Sequence, residues 1–381
     1  MKYTVVNKRH TNAGTMVAYL TESRKIWERL YGRQSECFRR YFTSFIFLKN
    51  WLLFWPADRP VYSTALFADG ACVGLTFFTE NQERVGPLIT LKTVSIFRSG
   101  SPDIDQVWPE YVEPLLVLPA EERAGAWAFW LEAVFRFTGA HQIYQYVALK
   151  EKMQSVVSAS SRLHCFIENE ELGAICSLNT PFRPKSSVRR KLSQTSRKLE
   201  LSPDNLKEVR DEHELSRVYE NMAAWHSDKW KDTATPSGFD NPLFYKVWLS
   251  QMTEALRSSQ CESRPRCFYI ERNGEILGAT LVLEDGPWVG FYLSGFKNFR
   301  HNHIHLGIWM HAELIERMRL EGRSVYDFMA GEAQYKAHFA DRYNVHARAR
   351  WVRRRHLLFF LLKLKNKIAS RAKWFSFMPS N

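Results

Sequence analysis

The sequence predicts a mixed α/β chain: two similarly ordered halves packed together, ending in a basic C-terminal helix. Three observations carry that expectation. Short β-prone runs are joined by turn dipeptides, Asp69-Gly70 and Asn273-Gly274 above all, which favour two-residue hairpins. Between such runs lie stretches with apolar residues at helical spacing, as in Ala124, Trp127, Ala128, Leu131, Val134 and Phe135. The order helices, antiparallel strands, helix, strand then occurs twice, without any repeat in the sequence itself. A length of 381 residues suits two domains, and 45% hydrophobic with 14% aromatic content excludes a disordered chain.

Taken in order, residues 12–55 read as helical, and the apolar stretch Phe42 to Trp55 as core or domain interface rather than a membrane-contacting surface. Val61 to Ala68 and Ala71 to Thr79 form the first hairpin. Leu88 to Phe97 and Val112 to Leu118 are further strands, the second stopped by Pro119. A helix over Glu121 to Phe137 and a strand over Ile143 to Leu149 follow. His164 to Leu178 is expected to be a pair of β segments turning at Glu168 to Glu171. The breaker-rich Asn179 to Ser187 marks the boundary, giving an N-terminal half at 1–180, a second domain at 181–345 and a basic helix at 346–381.

In the second domain, Ser187 could cap a basic helix with Val188, Leu192, Thr195 and Leu199 inward. Leu201 to Val209 is ambiguous. Helices over Glu212 to Trp230 and Asn241 to Leu256 precede three antiparallel strands, Cys267 to Glu271, Glu275 to Leu283 and Trp288 to Gly295. His305 to Leu320 is a helix. Ser324 to Ala340 then reads as a strand broken at Gly331 and a helix carrying Glu332, Tyr335 and Lys336, the place where an α/β enzyme sets its chemistry.

The net charge of +13 is localised. From Arg342 to the end the chain has eleven Lys or Arg and no acid, which leaves the first 341 residues nearly balanced. A second acid-free window, Leu172 to Leu199, holds Arg183, Lys185, Arg189, Arg190, Lys191, Arg197 and Lys198. The six cysteines show neither a C-x-x-C pair nor a zinc spacing, and read as reduced, buried thiols. His301, His303, His305 and His311 have no carboxylate at ligand spacing, so no metal is expected. The N-terminus lacks the apolar core of a signal peptide, and Leu357 to Leu362 is too short to span a bilayer. The expected location is the cytoplasm. In the tail, Leu357, Phe360, Leu361, Leu364, Ile368, Ala372 and Phe375 fall on one helical stripe amid lysines. Such a helix either lies on an anionic membrane surface, peripheral to the inner membrane, or docks on the protein's own core.

Several stretches resemble one family. Ala223-Ala-Trp-His-Ser-Asp-Lys-Trp230, Tyr292-Leu-Ser-Gly-Phe296 and, most specifically, Asp327-Phe-Met-Ala-Gly-Glu-Ala-Gln-Tyr-Lys336 are similar to motifs of GNAT acyltransferases. The branch is that of exopolysaccharide and cellulose biosynthesis, related to the Fem-type aminoacyltransferases, which also carry two GNAT-like halves. The resemblance covers residues 187–345 and extends to the first half through element order alone.

The resemblance implies an enzyme moving an acyl group, acetyl most simply, from acyl-CoA to an amine or hydroxyl of an envelope or exopolysaccharide precursor. It implies that acyl-CoA lies against Leu293 and Ser294 of the central strand. The diphosphate then meets the following helix start at Arg300, His303, His305, Leu306 and Gly307, although histidines stand where that family has small residues. It implies Tyr335 as the acid that protonates the departing thiolate, and Glu332 or Asp327 as the base. His226, Trp230, Lys336 and Arg190 would face the acceptor. The alternatives are Fem-like transfer from aminoacyl-tRNA, in which nucleic acid becomes a partner, and an inactive GNAT scaffold at the membrane.

Overall fold

The computed structural model describes residues 1–33, 41–85, 89–233, 236–258, 263–299, 303–331 and 333–364. The first half runs β1 (Tyr3–His10), α1 (Ala13–Glu22), α2 (Arg24–Arg33), α3 (Phe45–Leu52), β2 (Val61–Ala68), β3 (Ala71–Val85) and β4 (Ile89–Ile96). It continues through α4 (Pro102–Asp105), β5 (Leu115–Leu116), α5 (Ala120–Thr138), β6 (Gln142–Leu149), α6 (Lys150–Ser158) and β7 (Leu163–Ser177). The second half runs α7 (Ser186–Leu199), β8 (Leu206–Glu208), α8 (Glu212–Trp230), α9 (Pro242–Arg257), β9 (Ser263–Arg272), β10 (Glu275–Asp285), β11 (Trp288–Phe296), α10 (Leu306–Leu320), β12 (Val325–Asp327) and β13 (Arg342–Arg353).

The strands form one mixed sheet in the order β1-β2-β3-β4-β6-β13-β7-β12-β11-β10-β9-β8, with β5 against β3. Both halves use the same device twice. A two-residue hairpin joins β2 to β3 and β9 to β10, and both of its residues are left-handed: Asp69 and Gly70 at φ 47° and 84°, Asn273 and Gly274 at 50° and 80°. That is the turn whose twist matches paired strands, and Gly adopts it without steric penalty. A helical crossover then brings the next strand in parallel, β6 beside β4 and β12 beside β11.

The last strand of each half is exchanged. β7 pairs with β12 of the second half, β13 returns to pair with β6 of the first, and β7 and β13 pair with each other at the centre. The boundary at residue 180 is thus a boundary of sequence, and one strand from each side crosses it in space.

Alternation along β9 shows how both faces of the second half are covered. Cys267 and Tyr269 enter a core shared with α8, α9 and the first-half helices, whereas Phe268 and Ile270 enter a core under α7 and α10. Phe42, Phe47 and Trp51 are fully buried in the shared core, so the apolar stretch Phe42 to Trp55 is an interface between the halves. Trp248 and Tyr292 meet there at 4.3 Å between ring centroids.

Three expectations are corrected. Leu163–Ser177 is one continuous strand and does not turn at Glu168 to Glu171, because those acids pair across the sheet with Arg350 and Arg348 of β13. Residues 346–353 belong to that strand and not to a tail helix; the described helix begins at 357. Between β12 and β13 the described residues hold no α-helix, only a single 3-10 turn at Lys336–His338, since the preceding loop is pinned by buried polar groups. The last residues of the tail, 365–381, lie outside the described residues.

Candidate functional site

β11 and β12 pair in parallel only from Trp288/Val325 to Gly290/Asp327. Beyond that the chain leaves β12 through Met329 (φ 61°) and Gly331 (φ 104°), while β11 runs on to Phe296. Among the described residues, 291–296 therefore keep one unpaired edge, whose backbone groups could accept an extended partner. A cleft of about 640 Å³ opens at this edge. It is bounded by Ser294 and Phe296 of β11 and Lys297, Asn298 and Phe299 after it, by Ile304 to Ile308 at the start of α10, and by Trp225, Asp228 and Lys229 of α8. His311 and Tyr335 close its inner end.

The approach of α8 is set at Gly295, where an added Cβ would lie 2.2 Å from the Met222 carbonyl oxygen. Among the described residues, α10 begins without a side-chain cap. The His305 N–H donates to Thr195 Oγ1 of α7 at 2.9 Å, and the first turn of α10 has no acidic residue. Free first-turn amides and the helix dipole make this end of the cleft receptive to an anion.

At the inner end the Tyr335 ring stacks on His311, 5.4 Å away and inclined by 13°. His311 is enclosed by Phe291, Phe328 and Phe339 and shares a hydrogen bond of 3.1 Å between Nδ1 and Tyr326 Oη. Burial, aided by the nearby Lys336 charge, lowers its pKa to about 3, so the ring is neutral at pH 7. Burial also raises the Tyr335 phenol above its ordinary value, which keeps it protonated. The Tyr335 hydroxyl has no hydrogen-bond partner among the described residues.

The expected site residues divide. Leu293 is buried beneath the cleft, with its carbonyl accepting from Thr280 Oγ1 at 3.0 Å, and Ser294 lines the cleft. His305, Leu306 and Gly307 line its mouth; His303 is exposed beside them. Arg300 and Glu332 lie outside the described residues. His226 and Trp230 are one turn apart at 6.0 Å but do not line the cleft; His226 Nδ1 bonds Ser237 Oγ at 2.7 Å. Burial lowers the His226 pKa to about 4. Arg190 is exposed on α7.

Asp327 is buried and occupied. Its Oδ2 accepts from Trp288 Nε1 at 3.0 Å and from the Tyr111 hydroxyl, and its Oδ1 from the Met329 N–H at 2.8 Å. Lys336 is buried too. Its ammonium donates to the carbonyls of Met329, Ala330 and Gly331 at 3.4, 3.0 and 2.9 Å. These two residues hold the loop that carries Tyr335, including the left-handed Met329, a conformation costly for a non-glycine residue.

Sequence reading missed the first half's contribution. Glu110 Oε2 accepts the Ala330 N–H at 2.8 Å, Tyr111 reaches Asp327, and Tyr292 donates to the Val107 carbonyl. Burial pushes the Glu110 carboxyl up to about 7, against the Ala330 N–H and the Lys336 charge. No local pattern marks Val107 to Tyr111, whose partners stand some two hundred residues away.

Residues 186–337 match the family described as Acetyltransferase (GNAT) domain. The match is confined to this stretch of the second half. Among solved structures, the C-terminal domain of a protein described as a lysylphosphatidylglycerol synthetase from Agrobacterium fabrum is similar at 12% identity and TM-score 0.51. That match covers 91% of this chain and 96% of the other. FemX is similar at 10% identity and TM-score 0.46, over 75% and 87%. A tandem GNAT protein from the clavulanic acid pathway is similar at 11% and 0.43, over 92% and 98%. At these identities the first likeness is one of fold. No curated protein matches by sequence. No helix of the described residues is long and apolar enough to cross a membrane, and no group of described His, Cys, Asp or Glu could hold a metal ion.

Proposed function

We propose that the GNAT domain transfers an acyl group, acetyl in the simplest case, from acyl-CoA to an amine or hydroxyl on an envelope- or exopolysaccharide-type acceptor. The observation that carries this reading is the unpaired β11 edge opening beside the start of α10. An extended pantetheine arm, with its alternating amides, can add to that edge as a strand would. Its diphosphate would then face the acid-free first turn of α10, with Lys297 and His305 at hand.

The acceptor's nucleophile attacks the thioester carbonyl, a tetrahedral oxyanion forms, and the carbon–sulfur bond breaks. Tyr335 donates its phenolic proton to the departing thiolate. Glu332, next to Gly331 in sequence, takes the proton from the acceptor. Asp327, Lys336 and Glu110 hold the loop on which Tyr335 sits. The neutral His311 ring gives Tyr335 a flat, uncharged backing.

The second reading is transfer from aminoacyl-tRNA. It is favoured by the exposed Arg189, Arg190, Arg197 and Lys198 on α7, the helix that packs on α10. The donor decides between them. Acetyl-CoA at about 100 times its Kd should raise the melting temperature by several degrees. Salt-sensitive binding of tRNA with no shift by acyl-CoA favours the second reading. No response to either donor points to an inactive scaffold.

A further inference from the structure

The helix at 357–364 settles which way the tail's apolar stripe faces. Leu358 is buried against Leu91, Phe166 and Val352, and Phe359 and Leu362 pack on the same small core. Those residues fasten the helix to the sheet. The stripe faces outward: Leu357 is 69% exposed, Phe360 57%, Leu361 48% and Leu364 56%. Their i, i+3, i+4, i+7 spacing puts all four on one side of the helix. Water-exposed apolar surface this concentrated normally serves a contact.

The surroundings identify the partner's chemistry. Arg355 is exposed at the start of the helix and Lys363 lies within it, while Lys365, Lys367, Arg371 and Lys373 follow in sequence. No Asp or Glu occurs after Asp341. A second copy of the chain docked by two-fold symmetry would set these cations against one another. An apolar stripe flanked along its own stretch of chain only by positive charge, the nearby Glu83 and Glu168 being paired with Arg350, fits a surface that is both oily and anionic. We propose that this face docks on an anionic lipid bilayer, with Leu357, Phe360, Leu361 and Leu364 entering the headgroup boundary and the flanking cations meeting lipid phosphates. The proposal is independent of the donor and acceptor assigned to the cleft.

Co-sedimentation of the full chain with mixed phosphatidylglycerol–phosphatidylcholine vesicles, against phosphatidylcholine alone, tests it. Binding to the anionic vesicles is expected, weakening as salt is raised. Each replacement of an exposed apolar residue by Ser should weaken it about tenfold, so L357S/F360S/L361S should abolish it. The melting temperature should change little, because these side chains lie outside the small core and only Phe360 touches it, edge-on to Phe359. Absence of vesicle binding by the full chain overturns the proposal, as does full binding by the triple variant. If the chain instead forms a dimer that the triple variant dissociates, and binds no vesicles, the face is a self-association surface and the proposal fails. If removal of residues 365–381 is needed before vesicles bind, the tail covers the face and the proposal also fails.

Discussion

The two halves share a topology and differ at the one place where it matters. In the second, β12 ends early and the edge of β11 opens into a cleft. In the first, the parallel pair β4–β6 runs from Thr93/Gln142 to Ile96/Gln145, and the edge of β6 beyond it is taken by the chain itself at Val112, leaving a smaller cleft of about 300 Å³ at the start of α5. The Val112 N–H donates to the Val147 carbonyl at 3.1 Å, and Gln145 Nε2 donates to the Val112 carbonyl at 3.1 Å. The helices differ in the same sense. α10 starts with no acid in its first turn, whereas α5 starts with Glu121 and Glu122, which oppose an anion. The segment that plugs the first half continues from Val107 to Tyr111, which reaches across to pin the second half's loop. One half has thus become the support of the other.

The sharpest way to break that division of labour is at the chemistry. Tyr335→Phe should lower kcat by about 10²–10⁴, the usual range for loss of a general acid, while leaving acyl-CoA binding unchanged. Full turnover in the variant, measured by thiol release, removes Tyr335 from the mechanism.

Next in size is the plug itself. Gln145 also accepts a hydrogen bond of 2.9 Å from Trp351 Nε1 of the exchanged strand. Gln145→Ala leaves two buried groups unmatched and should cost about 2–3 kcal/mol in chemical denaturation. It should create no binding of acyl-CoA in the first half. A second bound equivalent, by calorimetry, would show that the plug alone separates the halves.

A smaller effect is expected at the phosphate end. Gly307→Glu gives α10 the acidic first turn that α5 already has, and should weaken acyl-CoA about tenfold, with Gly307→Ala as the near-neutral control. The neighbouring Phe296 ring lies 3.3 Å from an added Cβ, so the site tolerates the change with a small shift. Equal affinities for the two variants would place the anion elsewhere.

Much of the fold was legible because its signals are local. Asp69-Gly70 and Asn273-Gly274 announce their hairpins, and the α5 and α8 patterns their helices. The exchange of β7 and β13 was not, because the acids of one strand and the arginines of the other are some 180 residues apart. Each run alone looks like a solvated charge cluster or a turn. Of the residues singled out through motif and position, Ser294, His305, Leu306, Gly307 and Tyr335 line the cleft. Asp327 and Lys336 carry the same motif but are spent on holding the loop, a difference visible only once their partners are in place. Glu110 belongs to a segment with no motif at all.

Glu110 also supplies the subtlest test of how the halves are joined. Burial raises its pKa from 4.5 to about 7, so between those values the folded chain holds a proton that the unfolded chain has lost. This contribution is full below pH 4.5, declines as pH rises, and is gone above about 7. The neutral, buried His311 and His226 act in the opposite sense, since the unfolded chain takes up their protons as pH falls through 6.5. Comparison with Glu110→Gln removes their part, because both proteins keep the histidines. Gln retains a carbonyl oxygen for the Ala330 N–H and carries no charge. The variant should therefore gain stability relative to the parent as pH rises from 4.5 to 7, and the two melting curves should run parallel above that. A difference that stays constant across the window would mean that Glu110 is ionised throughout, and that the seam between the halves is an ion pair with Lys336 rather than a buried acid on the loop's amide.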